Sequence, residues 1–381
     1  MNQKEVSELR RRWRPEKNAV SRIYGCFVNG EGEIVSDLDE SLGAMPQEEA
    51  EKYLGLLKKT LSGVLGKNLI DIVFSTQQVM DSEEHRLLSA LRSSALRDGA
   101  ARKAFYQKVI DSLDMEGNSY LLLAACDAYD VPRRGRDGAL QEDASEDVFS
   151  YILCCVCPVK LGRPELGYFP GDNEFHYTAP QVVSPPELGF LFPAFDGRTA
   201  NLYNALFYSR RSDQLHQEFI DGIFHTEPPM SAAEQREAFR EVLSQALEES
   251  CTMEVVRSIH EGLTDRIARH KEDGADEPLT MTVGDIAAIL QDCSVPQERV
   301  GVFQESCGER FGAGAVLNPA NLIDPGRFEI KTAEASVSIS PECSYLAETR
   351  IIDGKKYLLI PAGEAVEVNG QTVRLAPDPE Q

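Results

Sequence analysis

Two stretches, Ser119–Pro132 (SYLLLAACDAYDVP) and Tyr151–Leu161 (YILCCVCPVKL), decide how this chain folds. Both are short apolar runs rich in β-formers, and the first is closed by a proline, so both read as buried strands. Working outward, strands follow at Leu188–Phe195 and Asn204–Ser209, and Leu166–Tyr177 reads as a hairpin around Pro170-Gly171-Asp172-Asn173. Hairpin spacing from Ser119 to Ser209 argues for a largely antiparallel sheet. Upstream, Ile23, Cys26 and Val28 lead into the turn Asn29-Gly30-Glu31-Gly32, with Ile34-Val35 beyond it, a hairpin over Ser21–Val35. Leu69–Phe74 is a further short strand. Apolar residues at helical intervals predict helices over Glu5–Trp13, Pro46–Thr60 and Asp81–Leu113. Arg133–Asp147 is polar, charged and without period, and predicts an exposed loop.

Ser212 is expected to cap a helix that carries Leu215, Phe219, Ile220 and Ile223 on one face. The break Glu227-Pro228-Pro229 divides the chain into an N-terminal α+β domain, 1–227, and a C-terminal helical region with terminal β-hairpins, 228–381. Beyond it, Ser231 and Glu234 fit a capping box. A helix over Thr252–His270 and two more after the linker KEDGADEP precede strands at Phe328–Ile330, Ser336–Ile339, Arg350–Ile351 and Tyr357–Ile360. The fold class expected is α+β: a largely antiparallel sheet with helices, then a helical region ending in β-hairpins.

The chain has 381 residues, more than one typical core accommodates, which fits two domains. Hydrophobic residues make up 42 % and charged residues 27 %, which excludes a disordered chain. Lys and Arg number 39 against 62 Asp and Glu, a formal charge of −23 that repels nucleic acid at long range. Any DNA contact therefore needs a local basic patch. The nine cysteines are odd in number and mostly lie in apolar runs, which predicts a reducing compartment and buried thiols. The opening residues lack an export signal and no apolar run reaches membrane-spanning length. A cytoplasmic location without a membrane partner is expected, at the nucleoid if DNA is bound.

The sequence carries no catalytic signature: GxSxG, the Walker loop and a GxGxxG after a strand are all absent. Cys154, Cys155 and Cys157 read C-C-x-C, but strand neighbours point to opposite faces, leaving only Cys155 and Cys157 on one side. No second Cys or His pair completes a metal set, so neither metal nor cofactor is expected. On one helix, His216 and His225 are nine residues apart and face opposite sides. Asp127 and Asp130, at a strand end, or the cysteine strand, would be the place for an enzymatic site. Val283–Leu290, a turn and a helix from Gln297 have helix-turn-helix spacing, yet Gln297, Glu298, Arg299 and Gln304 are poor groove chemistry, so an ordinary helical hairpin is expected. Basic residues do cluster. Arg10, Arg11, Arg12 and Arg14 surround Trp13, and Arg133, Arg134 and Arg136 fill the polar loop; guanidinium groups beside an aromatic suit phosphate contact.

The runs SYLLLAACDAYDVP, YILCCVCPVKLGRPELGYF, GFLFPAFDGRT and LFYSRRSDQLHQEFIDGIF resemble a bacterial, Firmicutes-type family known only as a domain of unknown function. More remotely, the order of NALFYSRR and the amphipathic QLHQEFIDGIF resembles the nucleoid-associated NdpA-like proteins. That resemblance implies a non-enzymatic, DNA-associated protein and carries no site residues with it. The leading expectation is a nucleic-acid-associated binding protein. The alternatives are a protein-interaction or assembly factor, through other proteins or self-association, and an enzyme of unrecognised type.

Overall fold

The computed structural model describes residues 1–14, 16, 19–134, 140–227, 229–273, 277, 279–362, 366–368 and 371–373, with backbone alone for 133–134, 140–147 and 367–368. The chain divides into two compact units. The first is Met1–Gln235 with 276–278; the second is Arg236–Ala275 and Leu279–Gln381.

The first unit is built on strands β1 (Arg22–Val28), β2 (Ile34–Ser41), β3 (Leu69–Val73), β4 (Tyr120–Arg134), β5 (Leu140–Leu161), β6 (Glu165–Phe169), β7 (Glu174–Thr178), β8 (Gln181–Val183), β9 (Leu188–Phe192), β10 (Ala194–Asp196), β11 (Thr199–Asn201) and β12 (Asn204–Ser209). Its main sheet runs β2-β1-β4-β5-β9-β12-β3, antiparallel at every pairing, with β8 on the end of β5. Helices α1 (Gln3–Arg12) and α2 (Gln47–Lys59) bring apolar residues to one face. α3 (Thr76–Asp81), α4 (Glu83–Ser93), α5 (Gly99–Asp111) and α6 (Gln217–Phe224) lie with the other.

This double cover explains why the central strands read as unbroken apolar runs rather than alternating ones. Tyr120, Leu122 and Ala124 of β4 join Cys154 and Val156 of β5, Phe190 and Phe192 of β9 and Phe207 of β12 under α4–α6. The intervening Leu123, Ala125, Tyr151, Leu153, Cys155, Cys157 and Leu206 pack under α1 and α2. Through these stretches successive strand residues alternate between the two cores. Backbones approach closely at Gly189, where an added Cβ would lie 2.4 Å from the Cys154 carbonyl oxygen and 2.5 Å from Thr60. Gly222 of α6 likewise meets Ser112 just after α5, with a Cβ separation of 2.4 Å.

The structure bears out the expected α+β class. Several details differ. The region Arg133–Asp147 is not a loop wherever it is described: Arg133 and Arg134 pair with Gln141 and Leu140, so β4 and β5 continue as one long hairpin, while 135–139 lie outside the described residues. Cross-strand backbone bonds satisfy the amides there, so the strands need no apolar pattern. The expected helix over Asp81–Leu113 is broken by left-handed residues Ala95 and Leu96. Ser212 is not a cap; α6 starts after His216, itself left-handed, and His225 ends it the same way.

Helix α7 (Ala232–Leu247) has its Ser231–Glu234 capping box formed within the first unit; from Arg236 on it belongs to the second, with α8 (Met253–Glu272), α9 (Val283–Asp292) and α10 (Gln297–Phe311). Phe239, Leu243, Leu263, Leu290, Val300 and Phe303 form their core. Three two-stranded hairpins, Phe328–Lys331 with Ser336–Ile339, Glu348–Ile352 with Lys355–Leu359, and Val366–Val368 with Gln371–Val373, follow in the chain.

Candidate functional site

β5 outruns the main sheet. Its last residues pair with β8, and between the two the chain runs out as β6 and β7, a two-stranded ribbon to which no third strand is bonded among the described residues. The register sets Leu166 against Tyr177 and Tyr168 against Phe175. Alternation along each strand therefore puts these four side chains on one face. All are open: Leu166 is 67 % exposed, Tyr168 50 %, Phe175 65 % and Tyr177 75 %. Tyr168 and Phe175 touch each other with ring centroids 5.2 Å apart. The opposite face carries Glu165, Phe169, Glu174, His176 and Thr178, with His176 against the Phe169 ring and 3.7 Å from Asp172. At the root of the ribbon Leu161, Val182 and Val183 are exposed as well. Such an arm buries almost nothing of its own. A two-stranded ribbon is marginal in water, and an apolar patch left open on a folded protein commonly marks a docking surface.

The arginine cluster at the start of the chain is put to a different use. Asp127, buried in the middle of β4, accepts from Arg12 Nε at 3.1 Å, from Arg12 Nη2 at 3.3 Å, from the Ala19 amide at 2.8 Å and from the Tyr151 hydroxyl at 2.9 Å. Trp13 Nε1 donates to the same Tyr151 oxygen at 3.1 Å. The Arg12 guanidinium also lies 4.2 Å from the centre of the Tyr129 ring. Burial alone would lower the Arg12 pKa, but the bond and charge of Asp127 outweigh it and hold the guanidinium charged. Burial, with Asp127 adding to it, pushes the Tyr151 phenol far up. Tyr129 donates to Glu8, whose two oxygens accept from Arg198 Nη1 at 2.8 and 2.7 Å. These contacts fasten α1 to the sheet, and they occupy Arg12.

Arg10 is half-buried, while Arg11 and Arg14 are exposed. Burial, then the charges of Arg14 and Arg10, lower the pKa of Lys58 on α2, so these cations lie close together. The side chains of Arg133 and Arg134, and Arg136 altogether, lie outside the described residues. At the basic end of NALFYSRR, Arg210 and Arg211 share one carboxylate, Glu187, at 3.6 and 3.5 Å, which offsets one of their two charges.

A family model described as "Domain of unknown function (DUF4317)" matches residues 1–371. The chain belongs to this family. Membership covers nearly its whole length and agrees with the resemblance carried by SYLLLAACDAYDVP and its companions; the more remote likeness to NdpA-like proteins finds no support there. No curated protein matches the chain.

In this DUF4317 chain the remaining sequence candidates separate. Asp127 and Asp130 do not converge: Asp130 is exposed, Asp127 is buried against Arg12, and β4 continues past both instead of ending there. Cys155 and Cys157 share a face with sulfurs 3.7 Å apart, and Cys154 is in the opposite core. Burial pushes the thiols of Cys154 and Cys155 well above their ordinary pKa, so they are poor nucleophiles. His85 and His260 bond the carbonyls of Leu202 and Asp324, each at 2.9 Å, as core histidines do. In the α9–α10 hairpin, Val300, Phe303 and Cys307 face the core and Arg299 binds Glu248 at 2.6 Å. Among the described residues no helix is long and apolar enough to cross a membrane.

Sequence reasoning missed the apolar face of the arm. The alternation of Leu166 with Tyr168 and of Phe175 with Tyr177 was there to be read, but an alternating strand looks the same whether its apolar side meets a core or water.

Proposed function

We propose that this protein is a non-enzymatic interaction factor that associates with a second copy of itself through the apolar face of the β6–β7 arm. One observation carries this reading: four large apolar side chains, Leu166, Tyr168, Phe175 and Tyr177, are aligned on one face of a ribbon and at least half exposed. A ribbon face without charges is self-complementary under a two-fold axis, as an isologous dimer requires. Covering it would bury on the order of 400 Å² per copy, below a standard interface, so the dimer is weak and concentration-dependent.

Electrostatics supplies the signature. Two chains of charge −23 repel, so added salt should strengthen self-association by screening. Sedimentation across protein concentration and from about 50 to 200 mM salt tests this. A dimer that grows with both, and is abolished in Leu166→Ser/Phe175→Ser, is expected. A strict monomer under all conditions refutes it.

A second reading, the nucleic-acid association, is favoured by the proximity of Arg10, Arg14 and Lys58. It makes the opposite demand on salt: binding to duplex DNA must weaken as salt rises. Retention of full affinity in Arg10→Ala/Arg11→Ala, or no binding at low salt, counts against it.

A further inference from the structure

Two clefts adjoin where the Asn29–Gly32 turn, the end of α5 and the start of α6 come together. One has a volume of about 490 Å³ and the other about 430 Å³, and they share Leu113, Asp114 and Glu218. Their charge is one-sided. Glu31, Asp111, Asp114 and Glu218 line the first, Glu116 and Asp213 extend the second, and no Lys or Arg lines either. None of these six carboxylates has an ion-pair partner among the described residues.

Acidic rims are common on so acidic a chain, and a rim alone would be only a solvated surface. This one contains two polar groups that the protein itself leaves unsatisfied. Tyr120 lines the first cleft and is only 3 % exposed, and its hydroxyl has no hydrogen-bond partner. His216 lines the second cleft, and its buried Nε2 also lacks a partner. A buried polar atom without a partner costs about 1–3 kcal/mol, so proteins seldom keep one that nothing ever satisfies. His216 is moreover held in the left-handed region, at φ 49°, at the entry to α6.

We propose that this double cleft binds a short aliphatic diamine or polyamine, one ammonium group in each lobe. The carboxylates neutralise the two charges, while the Tyr120 oxygen and His216 Nε2 accept ammonium N–H bonds. Ile110, Leu113 and Met115 give the connecting methylenes an apolar floor. Both acceptors suit a cation. Burial lowers the pKa of the imidazole, so it is not a competing cation at pH 7, while burial raises that of the phenol, which therefore stays neutral and offers its oxygen lone pairs. An anion is excluded by the carboxylates. A bare divalent metal is a poorer fit, because it needs converging ligands, and no group of three or more His, Cys, Asp or Glu converges so among the described residues. The carboxylates are instead spread over two lobes, as two separated charges require.

Calorimetric titration of the full chain with spermidine, putrescine, a monoamine and Mg²⁺ tests the proposal. Saturable binding of the polyamines is expected, with the monoamine and Mg²⁺ weaker by on the order of tenfold. Asp114→Asn/Glu218→Gln should weaken spermidine on the order of tenfold, and both sites are exposed, so the fold is kept. Tyr120→Phe should weaken spermidine while leaving thermal stability unchanged or raised, since the lost hydroxyl bonds nothing in the protein. No saturable binding overturns the proposal. So does binding that Mg²⁺ matches, or that the double variant leaves intact, since either shows a counterion cloud only.

Discussion

Phe190 and Phe175 are the same side chain in the same kind of backbone, yet one is fully buried and the other is 65 % exposed. Phe190 in β9 meets the rings of Phe105, Phe219 and Phe224 at 6.0, 6.4 and 5.2 Å. Phe175 in the arm meets Tyr168 and then water. In the main sheet apolar side chains satisfy one another across two helical layers, and their burial is what holds the unit together. In the arm the same residue types contribute little to the fold, and their apolar surface is left for something outside it. Aromatic strands therefore serve two purposes in this molecule, and only the layer above them tells which.

The contrast can be broken most sharply with Phe190→Ala, expected to cost about 3–5 kcal/mol by cavity formation. Phe175→Ala should stay within about 0.5 kcal/mol. Urea midpoints measure both, and similar losses at the two sites would erase the distinction. Next comes the anchor of α1. Asp127→Asn leaves the Arg12 charge without its partner and should cost about 3 kcal/mol, while Asp130→Asn on the exposed side of the same strand should be silent. Equal effects would mean that the Arg12–Asp127 contact is not what fastens the helix. Gly189→Ala should cost about 1–3 kcal/mol, because β5 and Thr60 both block a Cβ there, whereas Gly171→Ala in the open turn of the arm has space around it.

The smallest effect is a pH dependence. Glu84 on α4 meets Lys108 on α5 at 2.9 Å; burial opposes its charge, but the Lys108 bond prevails and its pKa falls to about 2. A depressed carboxylate stabilises the fold above its unfolded pKa, so this contribution is present above 4.5 and lost as pH falls toward 2. A partly exposed pair of this kind is worth about 1 kcal/mol or less. Glu84→Gln should flatten that limb of the stability curve, measured by denaturation at stepped pH, and an unchanged slope would assign acid sensitivity elsewhere.

The strands and most helices were legible because burial on both faces leaves the strongest signal a sequence can carry, as in YILCCVCPVKL. The extension of β4 and β5 through Arg133–Asp147 was not, since backbone pairing, rather than a pattern of side chains, holds residues such as Arg134 and Leu140 opposite one another. The arginines beside Trp13 looked like a phosphate site because Asp127, which occupies Arg12, lies 115 residues away. Chain proximity made the four arginines a cluster; long-range folding removed one of them. The orphaned groups of Tyr120 and His216 could not be read at all, because being unpaired is a property of the neighbours and not of the residue.

The sheet order has a further consequence. β3 leaves the ribosome early but, among the described residues, its sheet partner is β12, and β1, paired early with β2, waits for β4 on its other edge. Until Ser209 has emerged, β3 has no strand beside it in the main sheet, and α1 cannot dock before Asp127 is in place. Such a unit closes late and all at once. A chain cut short before Asn204 would present bare strand edges with Ile70, Ile72 and Leu191 uncovered, which makes truncated products sticky and early stop mutations harmful beyond simple loss of the protein.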